Sequence, residues 1–85
     1  MIIQYHKQFL RDYKKLSKNI KEAFRNRIKT FQENKFNQIL NNHKLHEEFS
    51  GQRSINITGD IRAIYKECDE IIEFRRIGSH SELYE

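Results

Sequence analysis

The chain has no proline, no tryptophan and only one cysteine among its 85 residues. A single cysteine, Cys68, excludes an internal disulfide and favours a reducing compartment, so we expect the protein in the cytoplasm. No apolar run is long enough to span a bilayer, and residues 1–7 lack the pattern of a signal peptide. We therefore expect no membrane partner. Because there is also no internal repeat and no linker, we expect residues 1–85 to form one domain.

Apolar residues make up only 36% of the chain, but six Phe and four Tyr supply bulky side chains for a modest core. Charge is unevenly distributed. Residues 1–44 contain eleven Lys or Arg against three acidic residues, a net charge of +8, whereas residues 45–85 contain five against nine, a net charge of −4. The basic half is typical of a surface that binds a polyanion such as nucleic acid, and equally of a solvated lysine-rich helix face.

The periodicity of the first half predicts a strand and two helices. Residues 2–5 are a short apolar run, and apolar residues then recur at helical spacing from about Lys7. A second helical stripe follows, and Asn19 with Glu22 three residues later resembles an N-cap arrangement. Two basic amphipathic helices joined by a short turn indicate a helical hairpin that covers an apolar sheet.

The second half predicts three consecutive antiparallel strands after an irregular stretch over residues 34–51. The strands cover residues 53–58, 61–67 and 70–77, and tight turns join them. A short tail follows. The fold class is therefore α+β, with the element order β-α-α-β-β-β and a two-helix hairpin packed on an antiparallel sheet that contains the C-terminal three-stranded meander.

Strict alternation assigns the faces of the last two strands. It places Arg62, Ile64 and Lys66 on one face of the second strand, and it groups residues of the third strand as Ile72, Phe74 and Arg76. Whether the two arginines point the same way is left open. An arginine pair beside the histidine of the tail would hold a polyanion over a proton-transfer group.

These residues resemble a known family. The element order, the small basic chain and the run 62–65 resemble the RelE superfamily of bacterial toxins from type II toxin–antitoxin pairs. More narrowly, the chain is similar to the YafQ-like branch, because residues 76–84 resemble its ending Arg-x-Gly-Thr/Ser-His-x-x-Leu-aromatic. The resemblance implies a RelE/ParE-like fold.

The resemblance also implies an activity and partners. Such a toxin is an endoribonuclease, an mRNA interferase that enters the ribosomal A site and cleaves the codon there. The expected reaction is attack by the 2′-hydroxyl of the RNA itself, which needs no metal and no cofactor. The expected partners are the ribosome, its mRNA and a co-encoded antitoxin that neutralises the toxin in a hetero-oligomer.

The resemblance carries six candidate catalytic residues over to this chain: His80, Arg76, Arg62, Asp60, His43 and Tyr84. His80 matches the catalytic histidine and Arg76 the arginine at the scissile phosphate. Arg62 sits where other RelE-type toxins keep a phosphate-binding arginine.

The other three candidates are Asp60, His43 and Tyr84. Asp60 matches an acidic site residue, but beside Gly59 it is also an ordinary turn residue. His43 matches a loop histidine, and its spacing from His46 is only a weak metal signal. Tyr84 matches the terminal aromatic residue, which is suited to stacking on a base.

Three positions depart from the branch. Asn56 stands in place of a histidine, Ser54 in place of an acidic residue, and Ile61 in place of a tryptophan. Two other functions stay open. ParE-like proteins resemble this fold, so one alternative is an inhibitor of DNA gyrase without nuclease chemistry. The departures at Asn56 and Ile61 suggest the other, a decayed protein that only binds its antitoxin.

Overall fold

A five-stranded sheet carries two helices on one face and a short helix on the other. The computed structural model describes residues 1–84, whose elements are β1 (Ile2–Tyr5), α1 (Lys7–Lys14), α2 (Lys18–Glu33), β2 (His43–Lys44), β3 (Arg53–Asn56), β4 (Ile61–Cys68), β5 (Ile71–Ser79) and α3 (His80–Tyr84). Two 3₁₀ turns, Gln38–Leu40 and Glu47–Phe49, flank β2. The strand order is β1-β5-β4-β3-β2, with β1 parallel to β5 and the other neighbours antiparallel.

The α+β class and the order of the predicted elements are confirmed, and the structure adds two elements. The two-residue strand β2 lies in the stretch that shows no periodicity. The prediction of a short tail after the last strand is wrong in one respect, because residues 80–84 form the helix α3. None of the helices within residues 1–84 is long and apolar enough to cross a membrane.

The helices α1 and α2 each begin after a residue whose side chain caps the first turn. The Nδ1 atom of His6 accepts a hydrogen bond from the Gln8 backbone N–H at 3.1 Å, and the Oγ atom of Ser17 accepts one from the Ile20 N–H at 3.3 Å. The prediction of Asn19 as an N-cap is wrong. Ser17 has the extended backbone that a cap requires, whereas Asn19 already lies inside the first turn of α2.

Aromatic rings form the core between the helices and the sheet. Phe9 of α1 and Phe24 of α2 lie 5.9 and 5.7 Å from the ring of Phe74 on β5. Phe31 packs edge-on against Tyr65 of β4 at 5.1 Å. Tyr65 is fully buried in this core, and burial raises the pKa of its hydroxyl.

One extra residue in β5 changes which side chains face this core. Ile64 pairs with Arg76, but the next residue, Tyr65, pairs with Phe74, so Arg75 has no partner on β4. The prediction that Ile72, Phe74 and Arg76 share a face is therefore wrong. Beyond this bulge Ile77 enters the core, and Arg76 lies on the opposite face.

The helix α1 covers an edge of β5 that β1 leaves open. β1 pairs with β5 only over residues 71–74. Farther along, Asp12 of α1 takes the place of a strand, because its Oδ2 accepts hydrogen bonds from the Ile77 backbone N–H at 3.1 Å and from Nε of Arg76 at 2.7 Å. The Asp12 side chain is 10% exposed and that of Arg76 is 32% exposed, so the carboxylate of this ion pair is largely shielded from water. Asp12 thereby fixes α1 to the sheet.

Replacement of Asp12 by Ala should destabilise the fold. The change leaves the Arg76 guanidinium and the Ile77 N–H without their acceptor, so we expect a loss of about 1–3 kcal/mol in the free energy of unfolding. Thermal unfolding followed by circular dichroism measures this as a lower Tm, by ~4–8 °C for each kcal/mol. Glu22→Ala, at an exposed site on α2, is the control. Equal Tm values for the two variants would contradict this role of Asp12.

Candidate active site

An open cleft of about 350 Å³ brings four of the six predicted site residues together. It is lined by Asn41, His43, Leu45, Ser54, Arg62, His80 and Tyr84. The strand register explains the assembly, because Ser54 pairs with His43 on one side and with Ile64 on the other, and Arg62 lies two residues before Ile64. These side chains therefore share the sheet face opposite α1 and α2.

His43 is positioned by the residue before it. The amide nitrogen of Asn42 donates to the Tyr65 hydroxyl at 2.7 Å and to the Lys35 carbonyl at 2.8 Å, and its Oδ1 accepts from Nε of Arg53 at 2.7 Å. These three bonds hold the short strand β2 against β3 and the core. His43 therefore has a defined position in this irregular stretch, although its side chain is exposed.

The hydrogen bond of His43 fixes which ring nitrogen can accept a proton. Its Nδ1 lies 2.8 Å from the carbonyl oxygen of Asn41. A carbonyl oxygen only accepts, so Nδ1 carries the hydrogen, and in the neutral ring Nε2 is left as the acceptor. Asn41 directs its carbonyl this way from a left-handed backbone conformation, with φ 45°, which asparagine tolerates better than most residues.

The helix α3 supplies the other two predicted side chains. His80 and Tyr84 are one turn apart, and their ring centroids lie 4.7 Å from each other. The Tyr84 ring also packs edge-on against Phe49 at 5.6 Å. Phe49, from the second 3₁₀ turn, is a supporting residue that the sequence did not predict.

A capping box begins α3. The Ser79 backbone N–H donates to Oε1 of Glu82 at 2.8 Å, and the Glu82 N–H donates to Oγ of Ser79 at 3.2 Å. The hydrogen bonds from the Ser79 backbone and side chain lower the pKa of the Glu82 carboxyl. The pattern Ser-x-x-Glu was a readable signal for a helix start, and it would have predicted α3.

Gly78 lets α3 lie close to the sheet. A Cβ atom at this position would lie 3.3 Å from Oε1 of Glu82 and 3.5 Å from Cδ2 of Leu83. Leu83 is buried, as is Ile64 on the same face of the sheet. The helix that carries His80 therefore packs through Leu83, while its His80 and Tyr84 side chains line the cleft.

Arg62 keeps its positive charge without a carboxylate partner among residues 1–84. Its Nη1 atom donates to the carbonyl oxygens of Thr58 at 3.1 Å, Gly59 at 3.2 Å and Ile61 at 3.3 Å. These contacts fold the side chain against the turn between β3 and β4. The other guanidinium nitrogens remain as donors for an anion in the cleft.

The structure does not bring Arg76 and Asp60 into the lining of the cleft. Arg76 lies on the same sheet face as Arg62, but its guanidinium is paired with Asp12. Asp60 is exposed in the turn before β4, where its backbone N–H donates to Oγ1 of Thr58 at 3.4 Å. The catalytic roles of both residues stay predictions. Within residues 1–84, no group of three or more His, Cys, Asp or Glu is arranged to hold a metal ion.

A family model described as a bacterial toxin of a type II toxin–antitoxin system, YafQ, matches residues 1–85. The chain belongs to the YafQ family of bacterial toxins. The resemblance to this branch of the RelE superfamily is thereby confirmed.

Solved structures agree with this fold. YafQ from Escherichia coli strain BL21(DE3) superposes with a TM-score of 0.84 at 24% identity, over 98% of this chain and 97% of that chain. YafQ in the E. coli DinJ–YafQ complex gives 0.72 at 25% identity, with the same coverage of 98% and 97%. The YoeB dimer from Staphylococcus aureus gives 0.76 at 23% identity, over 94% and 97%. No curated protein matches the chain significantly.

Loss of the capping box should loosen α3 of this YafQ-family toxin. Glu82→Ala removes the acceptor of the Ser79 N–H, and a lost cap of about 1 kcal/mol makes α3 open roughly fivefold more often. Amide hydrogen exchange of residues 80–84 measures this opening. Glu82→Gln keeps an acceptor oxygen and is the matched control, with protection expected near that of the original protein. Unchanged exchange in Glu82→Ala would contradict the capping role.

The order of α3 should also depend on pH. Because folding lowers the pKa of Glu82, its stabilising contribution is fully present above the pKa of the unfolded chain. That contribution is lost as pH falls through the lowered pKa of the folded state. A titration of the α3 backbone carbon shifts should show this acid transition in the original protein. The transition should be absent in Glu82→Gln, and its persistence there would assign it to another group.

Proposed function

We propose that this toxin is a ribosome-dependent endoribonuclease that cuts mRNA in the A site. The observation that carries the proposal is the cleft in which His43, His80, Arg62 and Tyr84 meet. Two imidazoles, one guanidinium without a carboxylate partner and an aromatic ring are the group types that RNA cleavage by its own 2′-hydroxyl needs. That reaction requires a base, an acid and a cation near the phosphate, and these side chains supply each without a Lewis acid.

The hydrogen bonds suggest how the roles are divided. His43 acts as the base, because its Nδ1–H is held by a carbonyl and its Nε2 accepts. His80 then acts as the acid that protonates the leaving 5′-oxygen, and Arg62 stabilises the charge on the phosphate. Tyr84 stacks on a base of the codon, with its ring orientation set by Phe49.

Arg76 is proposed as a second cation for the phosphate. Asp12 binds it through Nε at 2.7 Å and more weakly through Nη2 at 3.5 Å, so Nη1 keeps its two hydrogens for an anion. Asp12 would then orient the guanidinium and still leave Nη1 free to bind the phosphate. Asp60, in the exposed turn beside the carbonyls that bind Arg62, would act mainly on the shape of that turn.

The ribosome supplies what this cleft lacks. A shallow open cleft on a chain of 85 residues buries little of a flexible RNA, so it orders the reacting groups poorly by itself. Binding of the mRNA by the ribosome would provide this orientation. The net charge of +8 over residues 1–44 favours attraction to ribosomal RNA. This target also places the protein in the cytoplasm.

A cognate antitoxin is the second proposed partner. The E. coli relative was crystallised as a DinJ–YafQ complex. In this chain the exposed apolar side chains Ile2, Tyr5 and Leu10 lie on β1, at the edge of the sheet, and on the adjoining α1. An edge strand beside an apolar surface favours a partner that adds a strand or a helix there.

The central test is to add the purified toxin to a translating extract and to map mRNA 5′ ends. We expect new ends inside the reading frame only when ribosomes are present. Attack by the 2′-hydroxyl should leave 5′-hydroxyl ends. Absence of such ends would overturn the proposal, and inhibition of DNA gyrase with intact mRNA would favour the ParE-like alternative instead.

Substitutions in the cleft should abolish cleavage without unfolding the domain. We expect His80→Ala to lower the cleavage rate by roughly 10²–10⁴-fold, as for the loss of a positioned acid. Arg62→Ala should cost roughly 10²–10³-fold through lost charge stabilisation. His46→Ala, an exposed histidine outside the cleft, is the matched control and should leave the rate unchanged. Full activity in His80→Ala would exclude His80 as the acid.

A further inference from the structure

Ser54 carries a hydroxyl that the fold leaves without a partner. The residue is 0% exposed, and its Oγ has no hydrogen-bond partner among residues 1–84. It nevertheless lines the cleft together with Arg62 and His80. Ser54 therefore lies in the wall of a space that a ligand can enter, on the sheet face opposite the sealed core.

Packing does not account for this hydroxyl. Burial without a partner costs free energy, because the group gives up its hydrogen bonds to water. An alanine would fill the same place on β3 without that cost. Ile64, directly opposite Ser54 on β4 and on the same face, is fully buried and apolar, so this face of the sheet accepts apolar side chains. A buried polar group of this kind calls for a functional explanation.

The strand register identifies what lies beside it. Ser54 on β3 is directly opposite His43 on β2, and directly opposite residues of an antiparallel pair have Cβ atoms about 4.5–5.5 Å apart. The Nδ1 of His43 donates to the Asn41 carbonyl, so Nε2 is the nitrogen that can take a proton. A substrate hydroxyl that reaches this imidazole from the cleft is therefore close to Ser54 as well.

We infer that Ser54 binds the ribose 2′-hydroxyl of the nucleotide that is cleaved, an inference that rests on the proposed endoribonuclease function. The Ser54 hydroxyl donates its hydrogen bond to the 2′-oxygen, and the 2′-hydroxyl donates its proton to Nε2 of His43. The 2′-oxygen forms a bond to phosphorus, and the 5′-oxygen leaves with a proton from His80. Ser54 keeps its own proton, so its contribution is to hold the nucleophile.

The chemistry of the cleft favours the sugar over the phosphate as this partner. Arg62 is a charged donor suited to the phosphate oxygens. Ser54 offers a neutral group that matches a neutral hydroxyl, and the 2′-hydroxyl is the group by which proteins distinguish RNA from DNA. Ser54 would therefore contribute to selectivity for RNA as well as to the rate.

The first experiment compares single-turnover mRNA cleavage on programmed ribosomes. We expect Ser54→Ala to lower the rate about tenfold, the effect of one lost hydrogen bond. Its Tm should be equal to or above that of the original protein, because an unpaired buried hydroxyl is removed. Ser54→Thr retains the hydroxyl and should restore most of the rate. Ser50→Ala, at an exposed loop serine, is the control and should cleave normally.

The outcomes separate this inference from the proposed function. If the original protein cleaves and Ser54→Ala cleaves equally fast, only the role of Ser54 is overturned. A slower Ser54→Ala variant with a lower Tm, not rescued by Ser54→Thr, would make the residue structural and overturn the role too. If the original protein does not cut mRNA on ribosomes, the endoribonuclease function and the role of Ser54 fall together.

A second experiment tests the 2′-hydroxyl itself. In a His80→Ala background, where the expected slow cleavage leaves time for a binding measurement, toxin affinity is measured for ribosomes whose mRNA carries ribose or 2′-deoxyribose at the cleaved nucleotide. Ser54→Ala should weaken binding to the ribose form several-fold and leave binding to the deoxyribose form unchanged. Equal weakening with both sugars would assign Ser54 to another part of the RNA and overturn the inference.

Discussion

The extra residue in β5 determines which side chains reach the site. Before it, β5 contributes Ile72 and Phe74 to the aromatic core, and after it Ile77 continues that core although the spacing has changed from two to three. The shift turns Arg76 and Gly78 to the opposite face. Without the bulge, one half of β5 would bury an arginine, or the other half would lose its apolar contacts. The fold and the site therefore depend on the same local irregularity.

The sheet divides its two faces between stability and chemistry. The face under α1 and α2 buries five of the ten aromatic rings, those of Phe9, Phe24, Phe31, Tyr65 and Phe74, and this packing holds the strands in register. The other face carries Ser54, Arg62 and the helix α3, and within residues 1–84 its buried apolar side chains are Ile64 and Leu83. A strand fixes its side chains firmly once one face is packed. Polar groups on the second face thus have defined positions without contributing much to the core.

Regular periodicity made much of the fold predictable. The helical hairpin and the three-stranded meander follow from apolar spacing, and the tight turns are marked by residues such as Gly59 and Asp69. The two-residue strand β2 has no period to detect, so the element that holds His43 was missed. The bulge was missed too, because strict alternation cannot show an unpaired residue. These two features decide which predicted residues meet in the cleft.

Long-range polar contacts were the least predictable part of the site. Glu73, the acidic residue closest to Arg76 in the sequence, pairs with Arg75. Arg76 pairs instead with Asp12, 64 positions away. Only the packing of α1 against the open edge of β5 brings these charges together. The family motif gave the identity of Arg76 but not its neighbour, and the neighbour determines which of its nitrogens remain available.

Gly78 links the backbone of the sheet to the depth of the cleft. Because this residue has only a hydrogen where others have a carbon, α3 rests almost on the peptide plane of β5. The distance of the His80 imidazole from the sheet thus depends on Gly78, two residues earlier, which has no side chain. One side of the cleft is therefore formed by α3, which packs directly on β5. A chain this small gains a recess by omitting atoms at one position, where a larger enzyme would build one from added loops.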